Sequence, residues 1–181
     1  VGIYLKIRDL YPQSALLESS DYHTMQNSYS FIGVKPMAYF MVKRNELVCG
    51  YPDGKCTCRD ITAGVDVVEE LKNYIRSFVA EKTPAGINGF LGFTAYDAVK
   101  YFESVKIQPK ESRFAEIPDM KYILYRYLIV VDHFRNEMTV VENLQERDIS
   151  RMEELLDVIR NNNIAQYGFE VQEDVESPLS D

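Results

Sequence analysis

The chain reads as an α+β fold, antiparallel β-sheets with helices packed on the outer face. Three observations carry that reading. The 181 residues include 13 Tyr and 9 Phe but no Trp, and such aromatics favour strands. Short alternating apolar runs are separated by turn residues, most plainly at Asp53-Gly54. Two stretches, Val65 to Val79 and Ile149 to Arg160, space their apolar residues helically instead, so the order is several strands then a helix, twice over.

Length and composition set the outer bounds. A chain of 181 residues suits one domain with a substantial core. A net charge of −8 argues against nucleic acid or an anionic membrane surface as partner. The longest apolar run, Met37 to Val42, is far too short to span a bilayer. Three cysteines, an odd number, speak against a disulfide framework and for a reducing, cytoplasmic setting.

Taken in order, Val1 to Arg8 fits either a strand or a helix. The chain starts without methionine, so further residues are expected before it. Leu16-Leu17-Glu18-Ser19 reads as a strand leaving the core, and Tyr29-Ser30-Phe31-Ile32-Gly33 as a second strand. Met37 to Arg44, Glu46 to Tyr51 and Lys55 to Arg59 follow as short strands, the last two joined by an Asp53-Gly54 turn in which both residues tolerate positive φ. Val67, Val68, Leu71, Tyr74, Ile75 and Phe78 make one stripe of a helix over Val65 to Val79, with Asp66 and Glu69 as its capping pair. Ile87 to Phe93 reads as a strand of small bulk and Tyr96 to Phe102 as a short helix with Asp97 as cap. Ser104 to Asp119, which holds Pro109 and Pro118, reads as a long loop. Ile123 to Asp132 and Met138 to Leu144 form a hairpin. The last helix has Asp148 as cap and Ile149, Met152, Leu156 and Ile159 inward. Beyond Arg160 there is no Lys or Arg, and Glu170, Glu173, Asp174, Glu176 and Asp181 give the tail a linker's composition.

Several groups invite a chemical reading and fall short of it. Cys49, Cys56 and Cys58 straddle one hairpin. A structural zinc needs four ligands, and His23 and His133 belong to other segments. Asp132 and His133 are adjacent on a strand, so their side chains point to opposite faces and cannot work as a pair. A strand-end or turn histidine is the plainer reading. Gly86, Gly89 and Gly92 match neither the dinucleotide fingerprint nor the P-loop. They suit a strand closely approached by another element.

Glu18 and Ser19 differ. A carboxylate and a hydroxyl where a strand leaves the core, beside Leu16 and Leu17, suit the ammonium and carboxylate of an amino acid whose large ring lies on the apolar side. On the residues alone a simple strand end is the better reading.

LLES with YSFIG, and then Asn88 to Glu103 (NGFLGFTAYDAVKYFE), resemble in order two motifs of the chorismate-using enzymes, above all anthranilate synthase component I. The resemblance implies half of that family's αββα sandwich, with residues 1–165 as the N-terminal domain and 166–181 as an acidic linker. It further implies an enzyme making anthranilate and pyruvate from chorismate and ammonia, with Mg²⁺ and chorismate held by a following C-terminal domain absent from this chain. Ser177 to Asp181 resembles the junction. The implied partners are a glutamine amidotransferase subunit, component II, and L-tryptophan as feedback inhibitor. Carried over by residue, the tryptophan site comprises Ser19, Glu18, Leu17 and Tyr29, with no catalytic residue here. Ser28 stands where many relatives carry Arg. The alternatives are aminodeoxychorismate synthase component I of the folate pathway and a free-standing amino-acid-sensing module, which would end near Asp181. Val1 to Arg8, similar to the family's Y-L-K-L segment, favours the tryptophan pathway.

Overall fold

The computed structural model describes residues 1–19, 28–62, 64–80, 87–105, 116–161, 164, 168 and 170. Gly86, Pro84, Pro109, His23 and the expected linker, apart from residues 168 and 170, lie outside them.

Two long strands form the spine. Strands β2 (Tyr29–Lys43) and β6 (Met120–Asp132) pair antiparallel along nearly their whole length. Around one end of this pair lie β1 (Ala15–Glu18) against β2 and β7 (Glu137–Glu142) against β6. Around the other lie β3 (Glu46–Gly50), β4 (Cys56–Asp60) and, across β6, β5 (Phe90–Thr94). The described strands thus make one seven-stranded antiparallel sheet, and the expected α+β class holds.

Each half has its own core. In the β3–β5 half, Phe40, Val42, Leu47 and Met120 pack with Val67 and Tyr74 of α2 (Val67–Arg76) and with Ala98 of the 3₁₀ helix Tyr96–Tyr101. In the β1–β7 half, Ile32, Val34, Tyr127 and Ile129 pack with Ile7 of α1 (Gly2–Ile7) and with Leu155 and Ile159 of α3 (Met152–Arg160). The shift in register between Pro36 and Ala38, beside Lys35 at φ 58°, lets even-numbered residues of β2 point inward in both halves. Each half is therefore covered by its own helices from its own side.

Several local expectations are corrected. YSFIG and the stretch from Met37 belong to one strand that ends at Lys43, because the irregularity absorbs Pro36 without breaking the pairing. The β3–β4 turn has three residues, Pro52-Asp53-Gly54. Gly54 N–H reaches Tyr51 O at 3.0 Å, and only Gly54 of the three adopts positive φ (81°). A two-residue turn exists instead at Arg44-Asn45, both at positive φ, between Lys43 and Glu46. The ambiguous N-terminus is the helix α1. The expected stripe of α2 holds except at Ile75, which is 40% exposed. The last helix starts later than its pattern suggests. Ile149 is 83% exposed, and Asp148 binds Arg126 rather than capping the helix. Asp97 makes no cap either; Ala95 holds that position, and Asp97 lies in the first turn.

Candidate functional site

The polar end of the β1–β7 half is assembled by backbone pairing that runs just past the strands. Ser19 N–H donates to Tyr29 O and His133 N–H to Ser28 O, both at 2.9 Å. These bonds bring the ends of β1, β2 and β6 side by side. Glu18 lies across from Ser30 in the register, and Leu17 from Phe31.

All four residues expected at the site, Leu17, Glu18, Ser19 and Tyr29, lie on this one end, but alternation divides them. Leu17 shares a side of the sheet with Phe31, whose ring lies 6.1 Å from that of Tyr29. Glu18 points to the other side, together with Ser30. The Nα of Val1, just before α1, is 3.8 Å from Glu18 Oε1. Only a ligand lying across the end of the β1–β2 pair meets both the apolar side and the carboxylate. Ser19 lies beyond the last ladder pair and is exposed.

Two further residues belong here. The Ser30 hydroxyl donates to Glu18 Oε1 at 3.2 Å, and it lies 2.7 Å from His133 Nε2. Ser30 is the buried polar residue among those described, at 2% exposure. A sequence signal for it exists: Ser30 shares the inward phase of β2 with Ile32 and Val34, where a polar side chain demands a partner. Nothing in the sequence says that the partner comes from a turn 103 residues away.

The remaining candidates land apart. Asp132 does not pair with His133 through its side chain; its Oδ1 accepts the N–H groups of Phe134 and Arg135 at 3.0 and 2.9 Å, closing the turn. His133 is a turn residue, as expected. Cys49 is buried, which pushes its thiol pKa up, while Cys56 and Cys58 are exposed on the outer strand β4. Among the described residues no group of three or more His, Cys, Asp or Glu could hold a metal ion. No helix among them is long and apolar enough to cross a membrane.

No protein-family model matches the chain. It is 28% identical over 171 residues to anthranilate synthase component 1 of Pseudomonas aeruginosa, covering 88% of this chain and 34% of that protein. It is 26% identical over 151 residues to the Methanothermobacter marburgensis protein of the same name, with 82% and 30% covered. The Saccharomyces cerevisiae protein of that name is 28% identical over 156 residues, with 81% and 27% covered. The chain thus spans about a third of the length of the relatives it matches. The crystal structure of anthranilate synthase component I from Streptococcus pneumoniae matches with a TM-score of 0.51 at 21% identity, over 80% of this chain and 30% of that one, a likeness of fold. In sequence and in fold, this chain resembles anthranilate synthase component I.

Proposed function

We propose that this chain is the N-terminal regulatory and scaffold domain of an anthranilate synthase component I, with residues 1–165 as the domain and 166–181 as its linker. The complete cytoplasmic enzyme would convert chorismate and ammonia to anthranilate and pyruvate, with ammonia from a component II amidotransferase and with tryptophan as inhibitor. The names carried by its relatives support this reading over aminodeoxychorismate synthase. The described residues offer Mg²⁺ no donor set. In this reading the metal and the chemistry belong to the following C-terminal domain, and the chain alone is catalytically silent. Chorismate, Mg²⁺ and an ammonium salt should then yield no anthranilate fluorescence with the chain alone; turnover above the blank would overturn the division of labour.

One observation carries the regulatory part. A carboxylate, a hydroxyl and an aromatic-apolar side lie at one strand end, with Glu18 on one side of the sheet, Leu17, Tyr29 and Phe31 on the other, and Ser19 just past the last ladder pair. An α-amino acid with a large ring matches that set: its ammonium faces Glu18, its carboxylate the Ser19 hydroxyl, and its ring the Leu17 side. Inhibition requires only that tryptophan bind one conformation of the enzyme better than another.

The test is an inhibition curve for the complete enzyme and two variants. Ser19→Ala should lose about 1 kcal/mol of tryptophan binding, and each 1.4 kcal/mol is roughly a tenfold rise in inhibitory concentration. Ser19→Phe should lose more, because its ring takes ligand volume. The uninhibited rate should survive both. A Ser19→Phe enzyme still fully inhibited by tryptophan removes Ser19 from the site. One that loses its basal rate as well makes Ser19 a folding residue.

A further inference from the structure

The contacts of Ser30 fix more than a packing position. Its hydroxyl carries one proton and has two neighbours, Glu18 Oε1 at 3.2 Å and His133 Nε2 at 2.7 Å. At 2% exposure, Ser30 has little access to bulk water. An ionised carboxylate only accepts hydrogen bonds. Were the hydroxyl to donate to His133, its oxygen would face the carboxylate oxygen with no proton between them. When His133 donates from Nε2, the hydroxyl proton is free to point at Glu18, and both contacts become hydrogen bonds. The direction of the chain is then His133 to Ser30 to Glu18.

We propose that Ser30 and His133 are positioning residues that orient the Glu18 carboxylate toward the ammonium group of the bound amino acid, an inference that rests on the amino-acid reading of this site. Glu18 is half-exposed and long, and the Val1 Nα 3.8 Å from Oε1 is itself exposed, so without the Ser30 anchor the carboxylate samples several rotamers. Holding Oε1 presents the whole group in one direction and lowers the ordering cost of binding. The anchor is itself fixed. His133 N–H is bonded to Ser28 O, and Asp132 Oδ1 closes the turn by accepting from Phe134 and Arg135. A turn on the far side of β2 thereby sets the geometry of the motif that ends β1.

Two measurements test this. In ¹⁵N-resolved imidazole spectra of the chain, only His23 and His133 contribute, and His133→Gln assigns them. His133 should carry its proton on Nε2, with an exchange slow enough to be seen, and Ser30→Ala should abolish that slow exchange. An Nδ1-protonated His133, or a proton indifferent to Ser30→Ala, overturns the hydrogen-bond chain whatever the ligand. In the complete enzyme, Ser30→Ala and His133→Phe should raise the inhibitory concentration of L-tryptophan about tenfold. His133→Gln, whose amide N–H has the reach of Nε2, should stay close to wild type, and the uninhibited rates should match throughout. Normal inhibition of His133→Phe overturns the positioning role, as does equal loss in Phe and Gln variants. A wild-type enzyme indifferent to tryptophan overturns the amino-acid reading and the role with it, leaving the imidazole spectra to decide the hydrogen-bond chain.

Discussion

The two halves of the sheet share their long strands and differ in how they end. The β3–β5 half closes on rings. Tyr74 sits among Phe40, Tyr51, Phe78 and Phe90 with centroids 5.1 to 5.7 Å away, and its buried hydroxyl donates to Gly50 O. The β1–β7 half has a mainly aliphatic core under α1 and α3, and its strands run out into Glu18, Ser19, Ser28 and His133. One half spends its polar groups on locking the fold; the other places a buried hydroxyl between a carboxylate and an imidazole. In the proposed reading, scaffold and binding site share two strands while resting on separate cores. Mutations should separate them.

The largest effect is expected from Tyr74→Ala. Removing a buried ring from a tight aromatic cluster costs about 3–5 kcal/mol. A denaturant midpoint should fall sharply, while slow exchange of the His133 imidazole proton persists in the protein that remains folded. Loss of both together would mean the halves are one cooperative unit. Gly92→Ala comes next. A Cβ there would lie 2.0 Å from Lys121 O on the paired β6, a backbone atom that cannot swing away. Such overpacking costs about 1–3 kcal/mol and should loosen β5 selectively, read as faster amide exchange at Phe90 to Thr94.

A third expectation turns on pH. Burial, with Tyr4 nearby, pushes the Tyr125 hydroxyl up to about 12, and the hydroxyl donates to Gln13 O at 3.2 Å. A folded pKa above the unfolded value near 10 means stability that is complete below pH ~10 and is lost as pH rises toward ~12. Two units correspond to at most about 2.7 kcal/mol. Tyr74 and Tyr101, in the other half, are also pushed up by burial. Tyr125→Phe should therefore soften the alkaline loss without abolishing it. Burial also pushes up Tyr127, in the same half as Tyr125, so an unchanged alkaline transition would place the effect on Tyr74, Tyr101 and Tyr127 rather than on Tyr125.

These contrasts also show what the sequence made legible. The α2 stripe and its Asp66 cap were readable because propensity, spacing and capping agree, and Asp66 Oδ1 does accept from Val68 and Glu69. The start of α3 was not. Ile149 fits a helical period, but Asp148 and the Ile149 carbonyl serve Arg126 on β6, a distant claim that overrides the local pattern. Leu17, Glu18, Ser19 and Tyr29 were legible as a group through their motif. Their division between two sides of the sheet needed the β1–β2 register, and the link to His133 needed β6 beside β2. Pairing between strands a hundred residues apart leaves little trace in one sequence.

The smallest expected effect gives the cleanest comparison, because each half holds an aspartate doing the same work. Asp66 accepts two backbone N–H groups at 3.0 Å and starts α2, while Asp132 accepts two at 3.0 and 2.9 Å and closes the His133 turn. Replacing either by Ala should cost about 1 kcal/mol, the usual value for such a cap. Their stability losses should therefore be nearly equal, and at sites on separate cores they should add in the double variant. Function should tell them apart. Asp66→Ala should leave tryptophan inhibition of the complete enzyme where it was. Asp132→Ala frees the turn that carries His133, so it should shift the inhibition curve upward by a few-fold and speed exchange of the imidazole proton. Asp132→Asn, which keeps an acceptor for the two N–H groups, should restore most of both. If Asp66→Ala shifts the inhibition curve as far as Asp132→Ala, the effect is general loosening and the two halves are not functionally distinct. If only Asp132→Ala does so, a cap worth about 1 kcal/mol to the fold carries a second, local role in holding the site.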